Sequence, residues 1–299
     1  MSKINTPRFN GTWKGHPISD LTLFRDITLR LRPDKPIIYL AGDSSLDNKA
    51  WVSNAIPENI SIPPIYDHTL DPPTPKPDVA FWLNHALGPR ATCINAAVEE
   101  TTLAERSSAL LPHDLFIRDN LRPSDILIVS VGANDIALRP SAATMRHMFN
   151  LSWLARRASI ENGTASSLSY FQTLFGATTQ AYVARLTAKT KPRAVVVCMI
   201  YFPLETGLGQ EGWADAQLKA LGYGRDAGQL QAVIRKVYER ATRNVEVEGV
   251  EVVPCAMFEV LDGKKAGDYV ARVEPSGEGG RKMARRFVAL LDGVLEDWD

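Results

Sequence analysis

Five short apolar runs, at residues 37–41, 91–94, 126–131, 194–200 and 250–253, punctuate the chain with little alternation of polar and apolar residues. Runs of this kind suit strands covered on both faces. Helical stretches separate them. One spans 79–87, with Asp78 as its cap and Gly88-Pro89 as its stop. Others lie at 103–110, 142–158 and 166–188. A last one, 280–295, carries Met283, Phe287, Leu290, Leu291 and Val294 on one side. Strands alternating with helices predict an α/β fold, a three-layer α/β/α sandwich around a mostly parallel five-stranded sheet. In such a sheet the ligand sits beyond the carboxyl ends of the strands. Three polar clusters fall at those ends: Gly42-Asp43-Ser44, Asn95-Ala96-Ala97 and Gly132-Ala133-Asn134-Asp135. The architecture gathers them into one site.

Composition narrows the partners. Thirty-four basic residues balance thirty-four acidic ones, which removes the bulk attraction to polyanions, so no nucleic-acid partner is expected. No run of 18 apolar residues occurs and residues 1–10 are polar, so neither a membrane span nor a signal peptide is expected, and the reading is an intracellular protein. Cys93, Cys198 and Cys255 are odd in number and far apart, which fits buried thiols in a reducing compartment. The five histidines, at 16, 68, 85, 113 and 147, are scattered and no CxxC or HExxH occurs, so no metal is expected. No nicotinamide, flavin or phosphate-cradling motif is visible, and no cofactor is expected. The chain reads as one domain over 1–299. It carries an N-terminal extension (1–35), a Pro-rich insertion loop (52–78) and a possible lid (202–228) with six glycines and Trp213.

The clusters resemble the conserved blocks of the SGNH (GDSL-type) hydrolases, flavodoxin-like α/β esterases, lipases and acyl-transferring relatives. Gly42-Asp43-Ser44 after the first strand resembles the first block, with Ser44 in the nucleophile position. Gly132-Ala133-Asn134-Asp135 resembles the family's Gly-x-Asn-Asp block. Asn95-Ala96-Ala97 aligns with the second block, with Ala97 where the family has glycine. The resemblance implies an oxyanion hole made by the Ser44 N–H, the Ala97 N–H and the Asn134 amide. Asp43 and Asn95 are expected mainly to brace loops, and Asp135 to cap a helix or loop, at the edge of the pocket. Tyr201 and Phe202, after the fourth strand, are candidates for its apolar wall.

The last block departs from the family. Where relatives have Asp-x-x-His before Pro, a small residue and Gly, this chain has Ala271-Arg272-Val273-Glu274-Pro275-Ser276-Gly277. Glu274 thus stands in the place of the imidazole, and Ala271 in that of its orienting acid. A carboxylate with a reference pKa near 4.3 is a weak base unless burial raises it by roughly two units. Three functions follow: a serine-dependent acyl-ester hydrolase or acyltransferase with Glu274 as altered base, acting on a small-molecule substrate; a catalytically degenerate ligand- or protein-binding module; or an acid–base enzyme using Glu274 without a covalent intermediate. Among the histidines, His113 is the best-placed substitute base.

Overall fold

The computed structural model describes residues 2–296. Its core is a five-stranded sheet of β1 (Ile37–Gly42), β2 (Thr92–Asn95), β3 (Ile126–Ser130), β4 (Ala194–Met199) and β5 (Glu251–Ala256), ordered β2-β1-β3-β4-β5 with every pairing parallel. Every residue of β1 to β4 is buried, as their unbroken apolar runs require. The fifth strand runs further than the expected 250–253, because Pro254 lies within it opposite Val197. Proline lacks a ladder donor and is tolerated there because β5 is an edge strand.

The covering helices are α1 (Ile18–Leu31), α2 (Val79–Leu87), α3 (Leu103–Ser108), α4 (Pro112–Asn120), α5 (Thr179–Leu186), α6 (Ala227–Arg240) and α7 (Gly277–Leu295). Together with the sheet they form three layers. Among these helices α2 packs along α7, and α4 packs against both α1 and α5. Asp78 caps α2 by accepting the Phe81 N–H at 2.8 Å. The apolar side of α7 buries Met283, Phe287, Leu291 and Val294.

Two expected long helices are interrupted. Residues 142–158 form a helix only to Phe149, continue as a π turn (Asn150–Leu154), then break before Arg157–Glu161. Residues 166–188 contain a second π turn, Thr173–Thr178, ahead of α5. The N-terminal extension is tied down by Ile4–Asn5, which pairs in parallel with Leu70–Asp71 of the Pro-rich insertion. Among the described residues no helix is long and apolar enough to cross a membrane.

The strand order reverses at β1, whose neighbours are β2 and β3. The segments that leave β1, β2 and β3 therefore meet at one edge of the sheet, where open α/β sheets bind ligands.

Candidate active site

The turn after β1 depends on Gly42. Its φ is +145°, and a Cβ there would lie 1.8 Å from the Ser130 carbonyl oxygen, so only glycine lets β1 close on β3. Arg106 of α3, itself buried, donates to the Gly42 carbonyl at 2.8 Å and to Thr101 Oγ1 at 2.8 Å, and pairs with buried Asp114 at 3.2 Å. Asp43 Oδ1 accepts the Ser45 N–H (3.1 Å) and hydroxyl (2.7 Å), while its Oδ2 is buried without a partner. Burial pushes its carboxyl up to about 6. Ser44 is nearly buried, and its N–H donates to none of the described residues.

The end of β2 differs from the expectation. Asn95 Oδ1 accepts the Ala97 N–H at 3.1 Å, and Asn95 Nδ2 donates to the Leu46 carbonyl at 2.9 Å. The Ala97 donor is thus spent on its own loop rather than offered to a ligand, and Asn95 braces the β1 turn. The residue of this segment in the left-handed region that favours glycine is Glu100, with φ of +60°. Beside it Glu99 is buried. Its N–H donates to Asp47 Oδ2 at 2.9 Å and its Oε1 accepts the Trp51 indole N–H at 3.3 Å, but its Oε2 has no partner. Burial, together with the charges of Glu274 and Asp47, pushes the Glu99 carboxyl up to about 9. Asp47 itself forms a fully buried pair with Lys49 at 2.6 Å.

After β3, Gly132 has φ of +99°, and a Cβ would come within 2.7 Å of the Phe175 ring, so this glycine lets the ring close over the turn. Asn134 spends one amide hydrogen on the Thr101 carbonyl (3.0 Å) and keeps the other. Both Asp135 oxygens accept N–H groups at the start of α3, from Leu103 at 2.7 Å and Ala104 at 2.9 Å. Asp135 therefore caps a helix and offers nothing to a pocket.

The last block is unusually constrained. Ala271 and Arg272 are consecutive non-glycine residues with positive φ, +49° and +68°, a conformation costing about 1–2 kcal/mol per residue. Arg272 holds it by donating to the Leu204 carbonyl and Thr206 Oγ1 and by pairing with Asp215 at 2.6 Å. These partners all belong to the 202–228 segment, which is thereby fastened to the last block. Gly212 lies so close that a Cβ would stand 2.2 Å from the Ala271 carbonyl oxygen. The neighbouring Trp213 donates its indole N–H to Glu274 Oε1 at 3.1 Å.

Glu274 is 1% exposed, and its Oε2 has no hydrogen-bond partner. Burial pushes its carboxyl up to about 7; the Ser44 hydroxyl and Trp213 N–H beside it favour the charged form, and Asp43 and Asp47 oppose it. Ser44 is thus among the groups that act on the Glu274 carboxyl. His113 is not: its Nε2 meets the His16 carbonyl oxygen at 2.8 Å and serves the N-terminal extension. Tyr201 pins the strand of Glu274 through its hydroxyl, which donates to the Val273 carbonyl at 2.6 Å. Phe202, expected in the pocket wall, instead stacks on Phe258 with Arg235 over its ring. Among the described residues no group of three or more His, Cys, Asp or Glu is arranged to hold a metal ion.

Beside Ser45, Tyr201 and Val273 opens an apolar cavity of about 110 Å³. Glu99, the Trp213–Glu274 contact and this cavity are not foreseen from the sequence. The one visible signal was the acidic pair Glu99-Glu100, four and five residues after the end of β2.

No protein-family model and no curated protein matches the chain. Among solved structures it is similar to the lipase Lip_vut3 from a goat rumen metagenome, at 11% identity, covering 86% of this chain and 97% of that one with a TM-score of 0.45. It is also similar to a Clostridium thermocellum family 3 carbohydrate esterase (12% identity, 88% and 98% covered, TM-score 0.43) and to phospholipase A1 of Streptomyces albidoflavus NA297 (13%, 87% and 99%, 0.41).

Proposed function

We propose that the chain is a GDSL-type acyl-ester hydrolase or acyltransferase in which Ser44 is the nucleophile and Glu274 its base. The observation that carries this reading is the buried Glu274 carboxyl beside the Ser44 hydroxyl, raised to about 7. A base poised near neutrality combines adequate proton affinity with a substantial ionised fraction. In the first step the Glu274 carboxylate takes the Ser44 proton as Oγ attacks the ester carbonyl carbon. The oxyanion that forms is held by the Ser44 N–H and the second amide hydrogen of Asn134. Collapse breaks the acyl–oxygen bond, and the alkoxide leaves with the proton returned by Glu274. Water, or an acceptor alcohol, then repeats the sequence on the acyl-enzyme.

The test is hydrolysis of p-nitrophenyl acetate. Turnover by the parent, lost in Ser44→Ala and reduced at least about 100-fold in Glu274→Gln, supports the reading. Turnover that survives Ser44→Ala contradicts it. A second reading is favoured by Glu99: two buried carboxyls whose proton affinities differ form an acid–base pair. It predicts activity that survives Ser44→Ala and is lost in both Glu99→Gln and Glu274→Gln.

A further inference from the structure

The cavity beside the site is built from segments the proposed chemistry does not use. Its lining includes Leu151 and Phe175, one from each π turn, Val233 and Val237 of α6, and Ser45 and Val273. The last two residues adjoin Ser44 and Glu274 in the chain, so the cavity borders the segments that carry the proposed reacting groups. Of the twenty lining side chains only Ser45, Ser152 and Tyr201 carry a polar atom, and none is charged. Two of these hydroxyls are committed, Ser45 to Asp43 and Tyr201 to the Val273 carbonyl. A sugar or other polyhydroxylated group placed here would lose its hydrogen bonds to water and gain almost none. An apolar chain would lose nothing and remove the cavity lining from water. The π turns matter independently: one ends a helix and the other lies within one, such turns are concentrated at functional sites, and both deliver side chains to this one cavity.

We propose that this cavity binds the unbranched apolar chain of the ester, and that the protein's substrates are esters of short to medium chain length. The proposal rests on the reading of Ser44 as nucleophile. The size sets the length. An apolar cavity of roughly 150 Å³ takes up benzene, so a space of about 110 Å³ accommodates about four to six carbons. Whether the chain belongs to the acyl or the alcohol side is decided by the substrate.

Two ester series test it: p-nitrophenyl acetate, butanoate, hexanoate and dodecanoate, and ethyl, butyl and hexyl acetates. In one series kcat/KM rises about fourfold per methylene and levels beyond about six carbons. Val233→Trp, which fills the cavity, lowers the six-carbon to two-carbon ratio at least tenfold. Leu230→Ala, at a half-buried part of the wall, moves the levelling point one or two carbons longer, which keeps the test open should the tryptophan variant fail to fold. Flat dependence in both series, with acetate turned over, overturns the cavity assignment and leaves the serine mechanism standing. If no ester is hydrolysed, saturation-transfer NMR of hexanol and ethanol on the parent decides. Hexanol binding that is lost in Val233→Trp supports the cavity while removing the hydrolase reading; no preference for hexanol removes both.

Discussion

A glutamate can replace an imidazole as base only if its surroundings do what histidine does unaided, and at position 274 those surroundings are identifiable. Burial raises the carboxyl, the charges of Asp43 and Asp47 raise it further, and Ser44 and Trp213 restrain the rise. Since the ionised form is the base, kcat/KM of the parent increases with pH through about 7 and is level above it. Asp43→Asn removes a neighbouring negative charge and moves this midpoint to lower pH. Trp213→Phe removes a donor to the ionised form and moves it to higher pH. The shift is about half to one unit, given the usual worth of a hydrogen bond to a charged group and the partial exposure of Trp213. Opposite displacements in these two pH–rate profiles check the account; displacement in the same direction contradicts it. At this scale Ser44, Asn134 and Glu274 are legible in the sequence because strand ends and flanking Pro275-Ser276-Gly277 locate them. The occupied Ala97 N–H is not legible, because it depends on the rotamer of Asn95. Nor is the left-handed turn at Glu100, where no glycine flags it.

Among the elements, the strands are the most readable, since a run buried on both faces has only one way to look. The misreadings have local causes: Pro254 suggests a strand end but sits on an edge, and the 3.6-residue periodicity of 142–158 and 166–188 conceals two π turns. The pairing of Ile4–Asn5 with Leu70–Asp71 joins short segments far apart in sequence, without a periodic signal in either. Beneath the site, α3 and α4 are joined through Arg106 and Asp114, and α5 joins them when the Tyr182 hydroxyl donates to Asp114 at 2.6 Å. Asp114→Ala leaves the Arg106 charge buried and unpaired. We expect a loss of about 3–5 kcal/mol, measurable by urea denaturation. Because Arg106 also holds the Gly42 carbonyl, the surviving fold should lose activity as well. An unchanged midpoint would mean that the network contributes nothing.

For the whole molecule, a site crowded with buried acids has a cost in stability that depends on pH. Glu99 is held near 9 in the fold against about 4.3 in an unfolded chain. Below about 4 both states carry the proton and Glu99 contributes nothing. Between there and about 9 only the unfolded chain releases it, so the native state loses relative stability as pH rises. Glu99→Gln removes this penalty, and its N–H groups can reach the same surroundings. The expected result is a gain on the order of 1–3 kcal/mol at pH 8 and little change at pH 4, read from thermal denaturation at each pH. A variant less stable at pH 8 would show that Glu99 is ionised and paired in the fold. No composition statistic reveals this, since the chain as a whole is electrically balanced.

The association of Ser44 with Glu274 is tested most directly by the rate at which a fluorophosphonate labels the protein, with the modified residue located by mass spectrometry. The Ser44 oxygen would bond to phosphorus as fluoride leaves and Glu274 accepts the proton. The expected result is labelling of Ser44 alone, with a rate constant rising through about pH 7, and a fall of at least about 100-fold with loss of that pH dependence in Glu274→Gln. Labelling of Ser44 at the parent rate in Glu274→Gln, or no labelling of Ser44 in the folded parent, would contradict it.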